Sequence, residues 1–99
     1  MNSLHSIRAI NHLLVLAIIE NLSAIKIVRT RDGFQYETNS SNGVEIINGV
    51  SFSEVYQRLG KMIGGKRKNG FVCKTAGSQR YVKVVFRENM IELYFLTKN

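Results

Sequence analysis

Leu13–Thr30, LLVLAIIENLSAIKIVRT, decides the fold because its hydrophobic period changes within it. The stretch opens with the longest apolar run of the chain, Leu13–Ile19. Upstream, apolar residues recur at Leu4, Ile7, Leu14 and Ile18, with Ile10, Leu13, Val15, Leu16, Ala17 and Ile19 widening the stripe. That spacing predicts a helix from Ser3 to about Asn21. Ser3 is expected to cap its start, and Asn21 tolerates the left-handed backbone that often ends a helix. Past Asn21 the period falls to two. Ile25 and Ile27 alternate against Lys26, which predicts a half-buried strand over Ala24–Thr30.

The same reading extends outward. Arg31-Asp32-Gly33 is a turn signal, and Phe34–Thr38 alternates again, so a hairpin is expected. Asn39–Gly43 has loop chemistry, Val44–Ile47 reads as a short strand, and Asn48-Gly49 turns the chain. Ser51-Phe52-Ser53-Glu54 is a capping box, in which the first hydroxyl takes a backbone N–H three residues on. Phe52, Val55, Leu59, Met62 and Ile63 give the second helix an apolar face, with Gly64-Gly65 as the expected stop. An exposed basic loop, Gly65–Gly70, leads to a strand at Phe71–Thr75. A turn at Ala76–Gln79, a strand at Arg80–Phe86, a turn at Arg87-Glu88-Asn89 and a strand at Met90–Leu96 follow. The order is α-β-β-β-α-β-β-β, an α+β two-layer sandwich of two helices on a mostly antiparallel sheet.

The 99 residues are expected to form one domain, 1–99, with a single modest core. Apolar residues make up 44% and charged residues 21%, which excludes a disordered composition. Lys and Arg number 14 against 7 acidic residues, a net charge of +7 that favours phosphates, acidic proteins or anionic lipid as partners. Cys73 is the only cysteine, so neither an internal disulfide nor a cysteine zinc cluster can form. No apolar run approaches the roughly 20 residues that span a bilayer, and no signal-peptide pattern is present, so a cytoplasmic protein is expected.

Catalytic constellations are missing from the sequence. No GxxxxGK[ST] loop stands before a helix, and Gly64-Gly65-Lys66 follows one instead. His5 and His12 sit two turns apart on one helix, roughly 10 Å, too far to share one zinc at about 2 Å each. Cys73 reads as a small strand residue of the core rather than a nucleophile. The acidic residues are scattered, and neither metal nor cofactor is expected.

Charge patterning is the feature that departs from average. From Arg58 to Arg87 there are nine basic residues and no acidic one. The candidate contact patch for phosphate, nucleic acid or an acidic partner is Lys66, Arg67, Lys68, Lys74, Arg80, Lys83 and Arg87. The plain alternative is a solvated loop that keeps the protein soluble. Tyr81 and Phe71 alone do not make a stacking platform for bases. On the first helix, the apolar surface from Leu13 to Ile19 is wider than one face of a two-layer domain covers, which makes Leu13, Leu16 and Ile19 candidate interface residues.

The helix and the strand after it carry a family likeness. Arg8, Asn11, Leu13, Leu14, Ala17 and Ile18 follow the spacing R-x-x-N-x-L-L-x-x-A-I, and Ser23, Ile25 and Ile27 stand at the constant positions of S-D-I-H-I. Asn42-Gly43-Val44 matches a D-G-V turn, and Lys66-Arg67-Lys68-Asn69-Gly70 matches a basic stretch closing in D-G before a strand. In these features the chain resembles the amino-terminal module that precedes the motor domain in the hexameric ATPases of type II secretion and type IV pilus assembly. The likeness runs over nearly the whole chain. Ala24 replaces the acidic residue of the motif and Lys26 its His; Phe71 and Val85 stand where the family has basic residues. Only Arg67 and Arg80 fall near the places of the arginines that in the family reach a nucleotide, so the resemblance implies a packing framework more than nucleotide contact.

The first reading is therefore a non-catalytic, cytoplasmic protein-interaction module that packs on an ATPase motor domain, a neighbouring subunit or another secretion or pilus component. The chain alone would be no enzyme, whereas a full-length parent would be an ATPase. The second reading is a small basic regulator that binds nucleic acid. The third is a toxin-type ribonuclease, for which a general base near Tyr81 would be needed. A second copy of the chain is a further candidate for covering the first helix.

Overall fold

The helix expected to open the chain hands directly to a strand. In the computed structural model, which describes residues 3–40, 43–63, 69–75 and 77–96, α1 spans Ser3–Ile19. Ser3 is its first helical residue, one position inside the cap expected of it. Asn21 takes a φ of 51°. Around it the Leu22 N–H bonds the Ala17 carbonyl at 2.8 Å and the Asn21 N–H bonds the Ile18 carbonyl at 3.3 Å. This six-to-one and five-to-two pair is the Schellman closure, and the fully buried Leu22 anchors it.

The chain then runs through β1 (Ala24–Arg29), β2 (Gly33–Thr38), β3 (Glu45–Asn48), α2 (Phe52–Met62), β4 (Gly70–Thr75), β5 (Ser78–Phe86) and β6 (Met90–Leu96). The six strands form one sheet in the order β3-β2-β1-β6-β5-β4, and every neighbouring pair is antiparallel. The fold is thus α+β, with two helices and the expected element order. Each helix precedes a three-stranded meander, and the two meanders meet where β1 pairs β6.

Differences from the expected boundaries are local. β2 starts at Gly33 and β5 at Ser78, because strand pairing reaches further into each turn than residue type signals. Thr75 pairs Ser78 across a turn in which Gly77 has a φ of 81°. The Ser51 hydroxyl accepts the Glu54 N–H at 3.1 Å, as the capping box requires. α2 closes on Ile63, extended at φ −80° and ψ 107°, before the expected stop; Gly64-Gly65 lies outside the described residues.

Both helices pack on one face of the sheet. That face buries Ile25 and Ile27 of β1, Phe34 and Tyr36 of β2, Cys73 of β4, Val82 and Val84 of β5, and Ile91, Leu93 and Phe95 of β6. From above, Ile10, Leu13, Leu14 and Ala17 of α1 and Phe52, Val55 and Leu59 of α2 complete one core. Each fully buried Leu, Ile, Val or Phe contributes about 1.5–3 kcal/mol from transfer out of water. Tyr56 rests on Phe86 with ring centroids 4.5 Å apart, and the Arg29 guanidinium lies 4.6 Å over the Phe52 ring, fixing α2 over the strands. The opposite face of the sheet has no covering layer among the described residues, an arrangement antiparallel sheets tolerate when that face is partly polar.

Candidate functional site

Two surfaces stand out once the core is assigned. The first is the outer side of α1. At 100° per residue, Leu4, Val15 and Ile19 lie within about 60° of one another, on the side opposite Ser6, Ile10 and Ala17, with the exposed Arg8 and Asn11 on the same side between Leu4 and Val15. They are 54%, 38% and 76% exposed, in contrast to the 1% of Leu13. The expected interface set is therefore corrected: Leu13 belongs to the core, Leu16 is partly buried against it, and Ile19 is outward. The sequence spread apolar residues round the whole helix, and only the direction of the sheet separates inner from outer.

Beside α1, toward β2 and β3, runs a groove of about 310 Å³ lined by Leu13, Phe34, Tyr36, Ile47 and Val50, with His5, Arg8 and His12 exposed along it. Further along the helix, Glu20 and Glu45 stand on the other side of Tyr36. Burial foremost, and then the Glu45 and Glu20 carboxylates, push the Tyr36 hydroxyl above its ordinary value. Among the described residues no group of three or more His, Cys, Asp or Glu comes together that could hold a metal.

The second surface is the uncovered face of the sheet. Alternation places Lys26 and Val28, Glu37, Ile46, Val72 and Lys74, Tyr81, Lys83 and Val85, and Glu92, Tyr94 and Leu96 on it. Lys26 reaches Glu37 at 3.5 Å and Arg87 reaches Glu92 at 3.3 Å, so the β2–β1–β6 side of the face is close to neutral. Toward β5 and β4 the charged residues are Lys83 and Lys74, both exposed. Lys83 stands directly opposite Tyr94, and Tyr81 lies between Leu96 and Val72. The two tyrosines are diagonal neighbours, about 7–8 Å apart. The Tyr81 hydroxyl donates to Asn69 Oδ1 at 2.8 Å, while a depression of about 170 Å³ opens on the other side of Tyr94, toward β1 and β2, beside Lys26, Glu37 and Glu92.

The expected basic patch divides. Lys74, Lys83 and Arg87 share the uncovered face. Arg80 does not join them: it sits on the other parity of β5, donates to the Phe95 carbonyl at 2.7 Å and lies 5.6 Å over the Phe95 ring. Lys66, Arg67 and Lys68 lie outside the described residues. Tyr94 was missed as a site residue, although the alternation of Met90–Leu96 already put it opposite Ile91, Leu93 and Phe95. Its nearness to Lys83 and Tyr81 comes from the register of the β5–β6 hairpin across the turn at residues 87–89.

Among the described residues no helix is long and apolar enough to cross a membrane. In comparisons with known proteins, no family model, no curated protein and no solved structure matches this chain.

Proposed function

We propose that the chain is a non-catalytic protein-interaction module of the kind that precedes a secretion or pilus-assembly ATPase motor. The exposed apolar residues on the outer side of α1, above all Val15 and Ile19 near its end, with Ile19 at 76% exposure, carry this reading. A helix that already supplies the core with Ile10, Leu13, Leu14 and Ala17 has no internal use for Leu4, Val15 and Ile19, whereas a packed partner gains from their burial. The occupant that the reading names is a motor domain or neighbouring subunit. Support comes from the spacing of Arg8, Asn11, Leu13, Leu14, Ala17 and Ile18 and from the α-β-β-β-α-β-β-β order. On this reading the module works in the cytoplasm, sets the orientation of its partner and hydrolyses no ATP by itself.

Sedimentation velocity of the chain mixed with the motor domain of the secretion or pilus ATPase from the same cell tests it. A complex is expected, with Ile19→Asp abolishing it at an unchanged melting temperature. Absence of a complex at tens of micromolar, or one indifferent to Ile19→Asp, overturns the reading. Self-association through the same residues overturns it in favour of a second copy.

A further inference from the structure

We propose that the uncovered sheet face binds single-stranded nucleic acid, with Tyr94 and Tyr81 stacking on bases and Lys83 and Lys74 meeting phosphates. This is independent of the outer side of α1, which lies on the other side of the sheet. Three observations converge on it. Tyr94 and Tyr81 stand diagonally on adjacent central and outer strands, with Lys83 directly across from Tyr94. The Tyr81 ring is held by its hydrogen bond to Asn69. The charge is segregated: the carboxylates of Glu37 and Glu92 face Lys26 and Arg87, while no acidic residue lies on β4 or β5.

Stacking is the interaction that tells this ligand from an acidic protein. Every base offers a flat π face to an aromatic side chain, and the phosphates then need only a few cations beside the rings. A duplex keeps its base faces stacked inside and would offer these two rings no stacking partner.

Fluorescence anisotropy with fluorescein-labelled U20 and dT20, a matching duplex and unlabelled poly-glutamate as competitor tests the proposal. Binding to a single strand is expected at 50 mM salt, with log affinity falling by about 0.7 per log salt for each phosphate contacted. Tyr94→Ala should weaken it by about 5- to 150-fold. Lys83→Glu should weaken it and flatten the salt slope, and Tyr94→Leu serves as a second variant if the alanine form melts early. Preference for U20 over dT20, or the reverse, identifies RNA or DNA as the source. Ile19→Asp should leave binding unchanged, so failure here and failure of the motor-domain reading are distinguishable. No binding at 50 mM salt, equal binding to the duplex, indifference to both Tyr94 variants, or equal displacement by poly-glutamate overturns the proposal.

Discussion

Tyr36 sits where the β2 strand passes beneath α1, with its ring in the core and its hydroxyl near Glu20 and Glu45. Burial and those carboxylates favour the neutral phenol, so its folded-state pKa stands above the unfolded value of about 10. The contribution to stability is therefore complete below pH 10 and is lost as pH rises through the raised value. Urea unfolding at steps from pH 8 to 11.5 should show wild type losing stability above pH 10 more steeply than Tyr36→Phe, and equal slopes would refute the assignment. Other single residues were half legible. The parity of RYVKVVF already separated Tyr81 and Lys83 from Arg80 and Val82. Which parity faces the helices depended on Val82 and Val84 finding an apolar layer, and grouping all the cations of one third of the chain ignored that division. Arg80 accordingly bonds the Phe95 carbonyl instead of lining a patch.

At the scale of elements, local chemistry explains most boundaries. The Ser51 hydroxyl accepts a hydrogen bond from the Glu54 N–H, so Ser51→Ala should destabilise the protein by about 1 kcal/mol in thermal or urea unfolding. Gly33 is needed for close approach and not for its backbone angle. A Cβ there would collide with the Ile47 carbonyl, so Gly33→Ala should cost about 1–3 kcal/mol and lower hydrogen-exchange protection in β3 first. α1 offers the sharpest contrast. Leu13→Ala should cost about 2–5 kcal/mol by opening a cavity, while Ile19→Asp should stay within about 0.5 kcal/mol. Equal losses in the two melts would place the outer side of α1 inside the core. The helix itself was plain from its spacing, because helical period is a local property. Its outer face was not, because residues 13–19 are apolar on every side.

For the whole molecule the controlling feature is the β1–β6 seam. It joins residues 24–28 to residues 90–94, and every other strand pair lies within one half of the chain. Element order was readable from periodicity, but this pairing was not, since the partners lie in opposite halves of the chain. The neighbours of the candidate nucleic-acid face, by contrast, come from β4, β5 and β6 of the second meander alone. Each meander alone would leave one side of its innermost strand without ladder partners and half of a shared core exposed. Ile25 and Ile27 of one half are in register with Leu93 and Ile91 of the other, and all four are buried. Neither half can therefore keep its structure once the seam opens, and the two should unfold as one unit. Urea transitions followed by hydrogen exchange at β2 amides and at β5 amides should coincide, as two-state unfolding requires. Ile27→Ala should shift both to lower urea together, by about 2–5 kcal/mol. A β5 transition that stays in place while the β2 transition moves would mean that the second meander is stable without the first, and the seam would then be a contact between two folding units instead of the centre of one.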